Sequence, residues 1–522
     1  MLIVSALTAA VFATPISYLL LRSAGDVGTF WSTVTSGEAL EPLLRSLLLA
    51  ATVAAAAGVA GTAAAWAVMR TDVPLARMWR VLLPLPLVIP SFIGAFVMLA
   101  AFAPGGLVEA VLHPVGVTRI ATIDGFAGSF IVLTLFTYPY VYLPVSARLR
   151  QLPSSFEESA RLLGRRPMRT FFEVVLPQTR GAVLAGCLLV FLYVVSDFGV
   201  VQLMRYDTLT RAIYSTRLID RTTSVSLSLL LGVVAIAVVA LERSFTKSLR
   251  DADVRRGSRP LVIALGRWKV ATVAGIAALV GLALAAPVGV LVWWSTRGVL
   301  RGTTAASDFV ADVGDLAGPL ANTSLMSIAA AAAAVTVVVP VVYLTVRHRS
   351  RLGGIANGIV VGGFALPGLA IALALVHWTI DAPSSIAVFY QTLPLLLLAY
   401  VVHFGAQAMR TSQVALAGVP RGMEDAARVL GVSRWGRFVR VELPLMLPGL
   451  LAGAGLVLLS TMKELPATLL LAPIGFQTLA VKIWAATESA FFAEASIASL
   501  VLIALSGFLT WVLVIRRSNA LL

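Results

Sequence analysis

Ionisable side chains inside long apolar runs are the first candidates for chemistry. Asp197 lies in GCLLVFLYVVSDFGVVQL, and Lys463 and Glu464 lie in LVLLSTMKELPATLLL. Such groups are costly at membrane depth and usually face a wet interior. The chemistry they suit is guidance of a polar or charged solute. The two carboxylates correspond at an offset of 267 residues, with Ser196 opposite Lys463. Asp197 lies 17 residues beyond Arg180 and Glu464 lies 16 beyond Pro448. At about 1.5 Å per helical residue, each stands roughly 25 Å up its helix. Asp197, Lys463 and Glu464 are therefore expected to line the outer part of a translocation pathway or its gate. The alternative is a structural ion pair, most simply Lys463 with one of the acids.

Other chemistries find little support. His113, His348, His377 and His403 show no metal-ligand spacing and read as structural. Carboxylates and water would suit a hard cation, but no metal site is specified. Cys187 is the only cysteine and sits in an apolar run, which excludes a disulfide framework and a thiolate metal site. No G-x-x-x-x-G-K-[ST] phosphate loop is present, so no cofactor is expected in this chain and ATP would have to be bound by a partner. There is no H-E-x-x-H, no nucleophile motif and no His/Asp/Glu cluster, which argues against a membrane-embedded enzyme.

The elements that must position these groups are apolar helices. The chain has 522 residues, 59% hydrophobic and 12% charged, with a mean hydropathy of +0.93. Apolar runs fall at roughly 4–22, 46–69, 81–103, 127–147, 181–204, 223–241, 270–294, 323–346, 354–378, 390–409, 448–471 and 493–515. Each is long enough to approach or cross about 30 Å of hydrocarbon. The expectation is an all-α polytopic membrane protein with about twelve transmembrane helices. The first run lacks a basic flank and a cleavage site, so it reads as a retained span. The formal charge of +15 is spread over short loops, not gathered on one face, which excludes a nucleic-acid surface. Arg70, Arg77 and Arg80, the cluster Arg148 to Arg180, Arg243 to Lys269, Arg347 to Arg351, and Arg516 with Arg517 all fall on one side of alternating loops. The positive-inside rule makes that side, with both termini, cytoplasmic. The polar, basic stretch 243–268 reads as a linker between halves at 1–242 and 269–522.

One cytoplasmic segment occurs twice. EESARLLGRRPMRTFFEVVLP (Glu157 to Pro177) and EDAARVLGVSRWGRFVRVELP (Glu424 to Pro444) agree at nine of 21 positions at the same offset of 267. Each reads as a short helix, a turn at Gly164 or Gly431, and a second short helix ending in Leu-Pro. Ser155 and Glu158 have capping-box spacing. Phe156, Ala160 and Leu163, like Met423, Ala427 and Leu430, are spaced to share one face. Gly164 and Gly431 stand where a left-handed residue can end a helix. The object is a rigid elbow whose apolar stripe is available to a partner's groove. A loop lying on lipid headgroups is the alternative, and two matched copies weigh against it.

These residues resemble the EAA loop of binding-protein-dependent ABC importer permeases of type I. Glu158-Ser159-Ala160 and Asp425-Ala426-Ala427 occupy the name-giving positions, and Ser159 and Asp425 depart mildly from the pattern. The resemblance covers essentially the whole chain, once per half, with loops at about 153–180 and 420–447. It implies two tandem six-helix permease halves in the cytoplasmic (inner) membrane, in contact with its lipid. It implies further that Glu158, Ala160, Gly164, Asp425, Ala427 and Gly431 couple to two cytoplasmic ABC ATPase subunits. An extracytoplasmic solute-binding protein is implied as well. SDFGVVQL (Ser196 to Leu203), KELPATLLLAPIGFQTLAVKIW (Lys463 to Trp484) and FALPGLAIALAL (Phe364 to Leu375) are similar to the fused ferric-iron permeases. Permeases for thiamine, phosphonates, sulfate and molybdate share the loop and remain alternatives. A six-plus-six secondary transporter would explain the hydropathy but not two matched elbows.

Overall fold

The computed structural model describes residues 2–115, 122–247, 262–300, 314–348 and 350–512. Among these residues the secondary structure is helical, with no β-strand and one isolated bridge between Thr71 and Ile263. Eleven helices are long and apolar enough to cross a bilayer. In chain order they are the first to eighth spans, Leu2–Gly25, Gly37–Arg70, Ser91–Leu112, Gly125–Gln151, Met168–Ser196, Arg221–Leu241, Gly266–Arg297 and Ala317–Val346, and then Leu393–Ala417, Arg434–Thr461 and Phe492–Thr510. The ninth span is a pair of helices, Arg351–Gly363 and Gly368–Asp381, bent by 106°. Counting it makes Leu393–Ala417 the tenth, Arg434–Thr461 the eleventh and Phe492–Thr510 the twelfth.

Proline and small residues explain much of this geometry. Pro90 and Pro367 stand at φ −58° and ψ 142° just before the helices that begin at Ser91 and Gly368. Neither donates a backbone hydrogen bond, so a helix starts afresh at each. Pro177, Pro444 and Pro287 each follow a π turn, closed by Leu176 N–H on Phe171 C=O, Leu443 N–H on Phe438 C=O, and Ala286 N–H on Gly281 C=O. Each proline leaves the carbonyl four residues earlier without its usual donor, and the widened turn accommodates the gap. The second span buries Ala50, Ala54, Ala57, Gly58, Gly61, Ala64 and Ala65. Small residues of this kind let helices approach closely inside a membrane. A Cβ on Gly61 would stand 2.8 Å from Tyr138 C=O and 2.9 Å from the Val141 Cβ.

The helices form two compact units. One holds residues 37–212 and 234–297; the other holds 1–36, 213–233 and 298–522. The units differ from the sequential halves because each includes the span that opens the other half, and because residues 213–233 of the first half group with the second. In the unit containing the second half, Phe12 of the first span is buried. A Cβ on Gly405 would overlap its ring, so the glycine is what admits it. Thr8 Oγ1 donates to Val337 C=O at 3.2 Å, and Tyr18 donates to Asp381 at 2.7 Å. In the other unit the seventh span is held by Trp294 Nε1 donating to Ala100 C=O at 2.9 Å. Residues 248–261 of the expected linker lie outside the described residues. Its far end is pinned by Leu265 N–H donating to Asp72 at 2.8 Å and by Lys269 Nζ at 3.0 Å from the same carboxylate. These contacts, the Leu265 amide foremost, hold the Asp72 carboxyl below its usual range.

Phe12→Ala is expected to empty this pocket and destabilise the chain by about 3 kcal/mol, as buried aromatic truncations do. The detergent-solubilised protein should therefore unfold at a lower temperature than the wild type. Ile3→Ala, at an exposed position of the same span, should leave the midpoint unchanged.

Candidate functional site

Both elbows have the same backbone. Ser155–Leu162 and Arg421–Val429 are their first helices, and Pro167–Thr170 and Arg434–Arg437 their second. Gly164 and Gly431 adopt φ of +76° and +74°. Gly164 N–H donates to Arg161 C=O and Arg165 N–H to Ala160 C=O; Gly431 N–H and Val432 N–H do the same to Arg428 and Ala427. This paired hydrogen bonding is how a left-handed glycine closes a helix.

The side chains depart from the expected single stripe. Ala160 and Ala427 are buried against the body of the protein, while Leu163 and Leu430 are each 80% exposed and Leu162 and Val429 still more so. Glu158 and Asp425 are also exposed. Eight or nine residues make little more than two turns, and tertiary contacts fix which face turns inward. The capping box is not formed either. Ser154 stands at the N-cap position without a capping bond from its side chain, and Ser155 is already helical. What each elbow offers outward is an apolar tip, Leu162-Leu163 or Val429-Leu430, immediately before the glycine.

An arginine at the end of the second or eighth span anchors each elbow. Arg70 Nη2 donates to Leu149 C=O at 2.8 Å and to Leu152 C=O at 3.0 Å. Its Nε lies 3.3 Å from Glu157, with side chains 0% and 1% exposed. Burial pushes the Glu157 carboxyl up, against the pull of Arg70 and Arg161. Arg347 Nη2 donates to Val419 C=O at 3.0 Å and pairs with Glu424, at 11% and 14% exposure. One turn earlier on each span an aromatic ring meets the elbow's phenylalanine. Trp66 lies 5.1 Å from Phe171, and Tyr343 lies 6.0 Å from Phe438.

The intramembrane carboxylates sit where the fifth and eleventh spans end. Asp197 Oδ1 accepts from Val200 N–H at 2.8 Å, and Oδ2 accepts from Ser91 Oγ at 2.7 Å. Tyr193 donates in turn to Ser91 Oγ at 2.9 Å. Glu464 Oε1 accepts from Ala467 N–H at 3.1 Å, and Oε2 lies 4.0 Å from His403 Nε2. Lys463, half-buried, precedes Glu464 in the same chain reversal. Each carboxylate therefore caps the short helix that follows it, Gly199–Leu203 or Pro466–Leu471. Each also abuts the first residue of another helix, Ser91 of the third span or Gly368 of the ninth span's second helix. A Cβ on Gly368 would stand 2.7 Å from Glu464 Oε1.

Residues 57–250 and 342–519 match the family model described as the inner membrane component of binding-protein-dependent transport systems. The chain belongs to that family. It is 30% identical to the Fe(3+)-transport system permease protein FbpB 2 of Haemophilus influenzae, over 94% of this chain and 93% of the relative. The molybdenum transport system permease protein ModB of Mycobacterium tuberculosis is 31% identical over 44% of this chain and 86% of its own length. The sulfate transport system permease protein CysT of Synechocystis is 26% identical over 37% of this chain and 67% of its own. This protein is thus a multi-pass inner-membrane permease of an ABC importer, whose family works with a binding protein and an ATPase. The two matched segments fit its tandem permease halves.

Arg70, Arg347, Trp66, Tyr343, Ser91, Gly368 and His403 were not singled out as site residues from the sequence. A second internal offset carries the signal for most of them. At 277 residues, Pro42 aligns with Pro319, Trp66 with Tyr343, Arg70 with Arg347, Pro90 with Pro367 and Ser91 with Gly368. The permease's carboxylates differ between halves in the complementary sense. Aspartate faces the serine, and the longer glutamate fills the space left at glycine.

Gly368→Ser is accordingly expected to lower the unfolding midpoint of the permease by crowding Glu464. Glu464→Asp in the same chain should restore part of the loss, giving a favourable coupling of about 1 kcal/mol in a double-mutant cycle.

Proposed function

We propose that this permease carries ferric iron from an extracytoplasmic binding protein across the inner membrane, driven by two ATPase subunits, one docked on each elbow. The observation that supports iron is the extent of the likeness to the Fe(3+)-transport permease, which runs through both halves. The elbows supply the grip. Apolar tips exposed at Leu162-Leu163 and Val429-Leu430 suit an apolar groove on a partner, with Glu158 and Asp425 on the accessible side. On this reading the elbows, the linker and both termini are cytoplasmic. Closure of the ATPase pair on ATP draws the elbows together and opens the outer side; hydrolysis resets the inward-facing state.

Asp197, Lys463 and Glu464 then border the route near its outer part. Carboxylates suit a hard trivalent cation. Their bonds from Val200 and Ala467, at the start of the short helices that follow them, fix the acids without a bound solute. An oxyanion is the second reading, favoured by the half-length molybdenum and sulfate relatives. In that case Lys463 and the amides at the start of the broken span's second helix, at Gly368, not the acids, would meet the cargo.

Reconstituted with its ATPase and its cognate binding protein, the permease should take up ferric ion on addition of ATP and ignore a collapsed ion gradient. A binding protein that holds molybdate, sulfate or thiamine and leaves ferric ion in solution would overturn the substrate. Leu163→Asp combined with Leu430→Asp should abolish co-purification of the ATPase while the permease remains in the membrane fraction.

A further inference from the structure

Each elbow has two kinds of connection to the rest of its unit. The covalent one to the fifth or eleventh span passes through a π turn followed by proline. A segment with a widened turn and a missing donor resists bending less than a regular helix. The second connection is the arginine at the end of the second or eighth span. Arg70 reaches the carbonyls of Leu149 and Leu152, on the near side of Pro153, and the carboxylate of Glu157 on the far side. Arg347 repeats this across Pro420, from Val419 to Glu424. One guanidinium thus staples the proline corner and the first elbow helix to the end of a span. The aromatic pairs Trp66 with Phe171 and Tyr343 with Phe438 reinforce the attachment one turn away.

Stability alone is a poor reason for this arrangement. Neither oxygen of Glu157 receives a hydrogen bond, although both are buried. A buried ion pair of that quality adds little to stability over an apolar replacement. What it does supply is a fixed position, in two copies, between the elbow and a span that carries no part of the elbow in its own sequence.

We infer that Arg70 and Arg347 are positioning residues that deliver the displacement of each elbow to the second and eighth spans. This rests on the docking of ATPase subunits at the elbows. In Arg70 two nitrogens of the planar guanidinium reach carboxylate and carbonyls at once, a fork that a lysine ammonium cannot match, whereas in Arg347 one nitrogen serves both partners. The pairing therefore transmits force along two directions, toward the fourth or tenth span and toward the elbow helix.

The test uses the full complex with its ATPase, comparing Arg70→Gln with Arg347→Gln in one chain against the wild type. The readouts are complex yield, ATP hydrolysis and solute uptake in proteoliposomes. Uptake per ATP hydrolysed should fall about tenfold, a usual size for a lost coupling between sites, while the complex still assembles. In the less deeply buried copy, Arg347→Glu with Glu424→Arg should recover more of the ratio than Arg347→Glu alone. If the Gln variant fails to fold, Arg70→Lys carries the same test at the first elbow, since charge is kept and the fork is lost. An unchanged uptake-to-hydrolysis ratio, including a proportional fall in both, overturns the inference and assigns the arginines to structure only. Failure of the wild-type chain to hold any ATPase would overturn the docking on which the inference rests, and that control separates the two.

Discussion

A guanidinium buried at the end of a span, gripping a glutamate from a surface elbow, is the contact on which this architecture turns. Without Arg70 or Arg347 the elbow would be a short, charged excursion held by its two chain connections, one entering through proline and the other leaving through a π turn, and by the ring contacts of Phe171 or Phe438. With it, the corner carbonyls, the elbow glutamate and the span end become one object. A helix of eight or nine residues has little stability of its own. Its orientation must come from tertiary contacts, and these are the ones present. They also explain why the alanines of the loop face inward and the leucines outward, the reverse of an arrangement in which the alanine stripe would be the docking face.

Duplication supplies two such objects, but the halves have diverged where polarity matters. Tyr140 and Tyr193 pack ring against ring at 5.7 Å in the first half. At the corresponding positions in the second, Gln407 hydrogen-bonds Ser460 at 3.0 Å. Asp197 is satisfied by a serine hydroxyl, whereas Glu464 lies against a glycine and near His403. The first half seals its carboxylate among aromatic and hydroxyl groups, and the second leaves a more polar surround. A permease need not bind its cargo tightly, and the two carboxylates are equally buried although their neighbours differ.

The spans were legible because a bilayer demands long apolar runs, and the elbows were legible because they repeat at a constant offset. The break in the ninth span was visible only as Pro367 among glycines; its 106° angle follows from packing that hydropathy does not encode. The arginine clamps were hidden for a definite reason. The first half carries ten more residues than the second between the Ser91 or Gly368 start and the elbow, so the offset changes from 277 to 267 and a single-register comparison misaligns the arginines. Arg70 and Arg347 therefore read only as markers of membrane orientation. The exchange of the first and seventh spans between units was not legible at all. It depends on a notch at Gly405 that receives Phe12, and on Trp294 finding the Ala100 carbonyl. Neither leaves a periodic trace.

The most direct measurement is the distance between spin labels placed within one half of the assembled complex. Labels at Phe156 and Val59 report the first elbow against its span, and labels at Met423 and Leu325 report the second; all four positions are exposed and lie away from the docking tips. Elbows clamped to their spans should keep each distance and its width constant between the nucleotide-free and ATP-bound complexes. A distance that shifts or broadens on ATP binding, with the elbow swinging while the span stays put, would contradict the account.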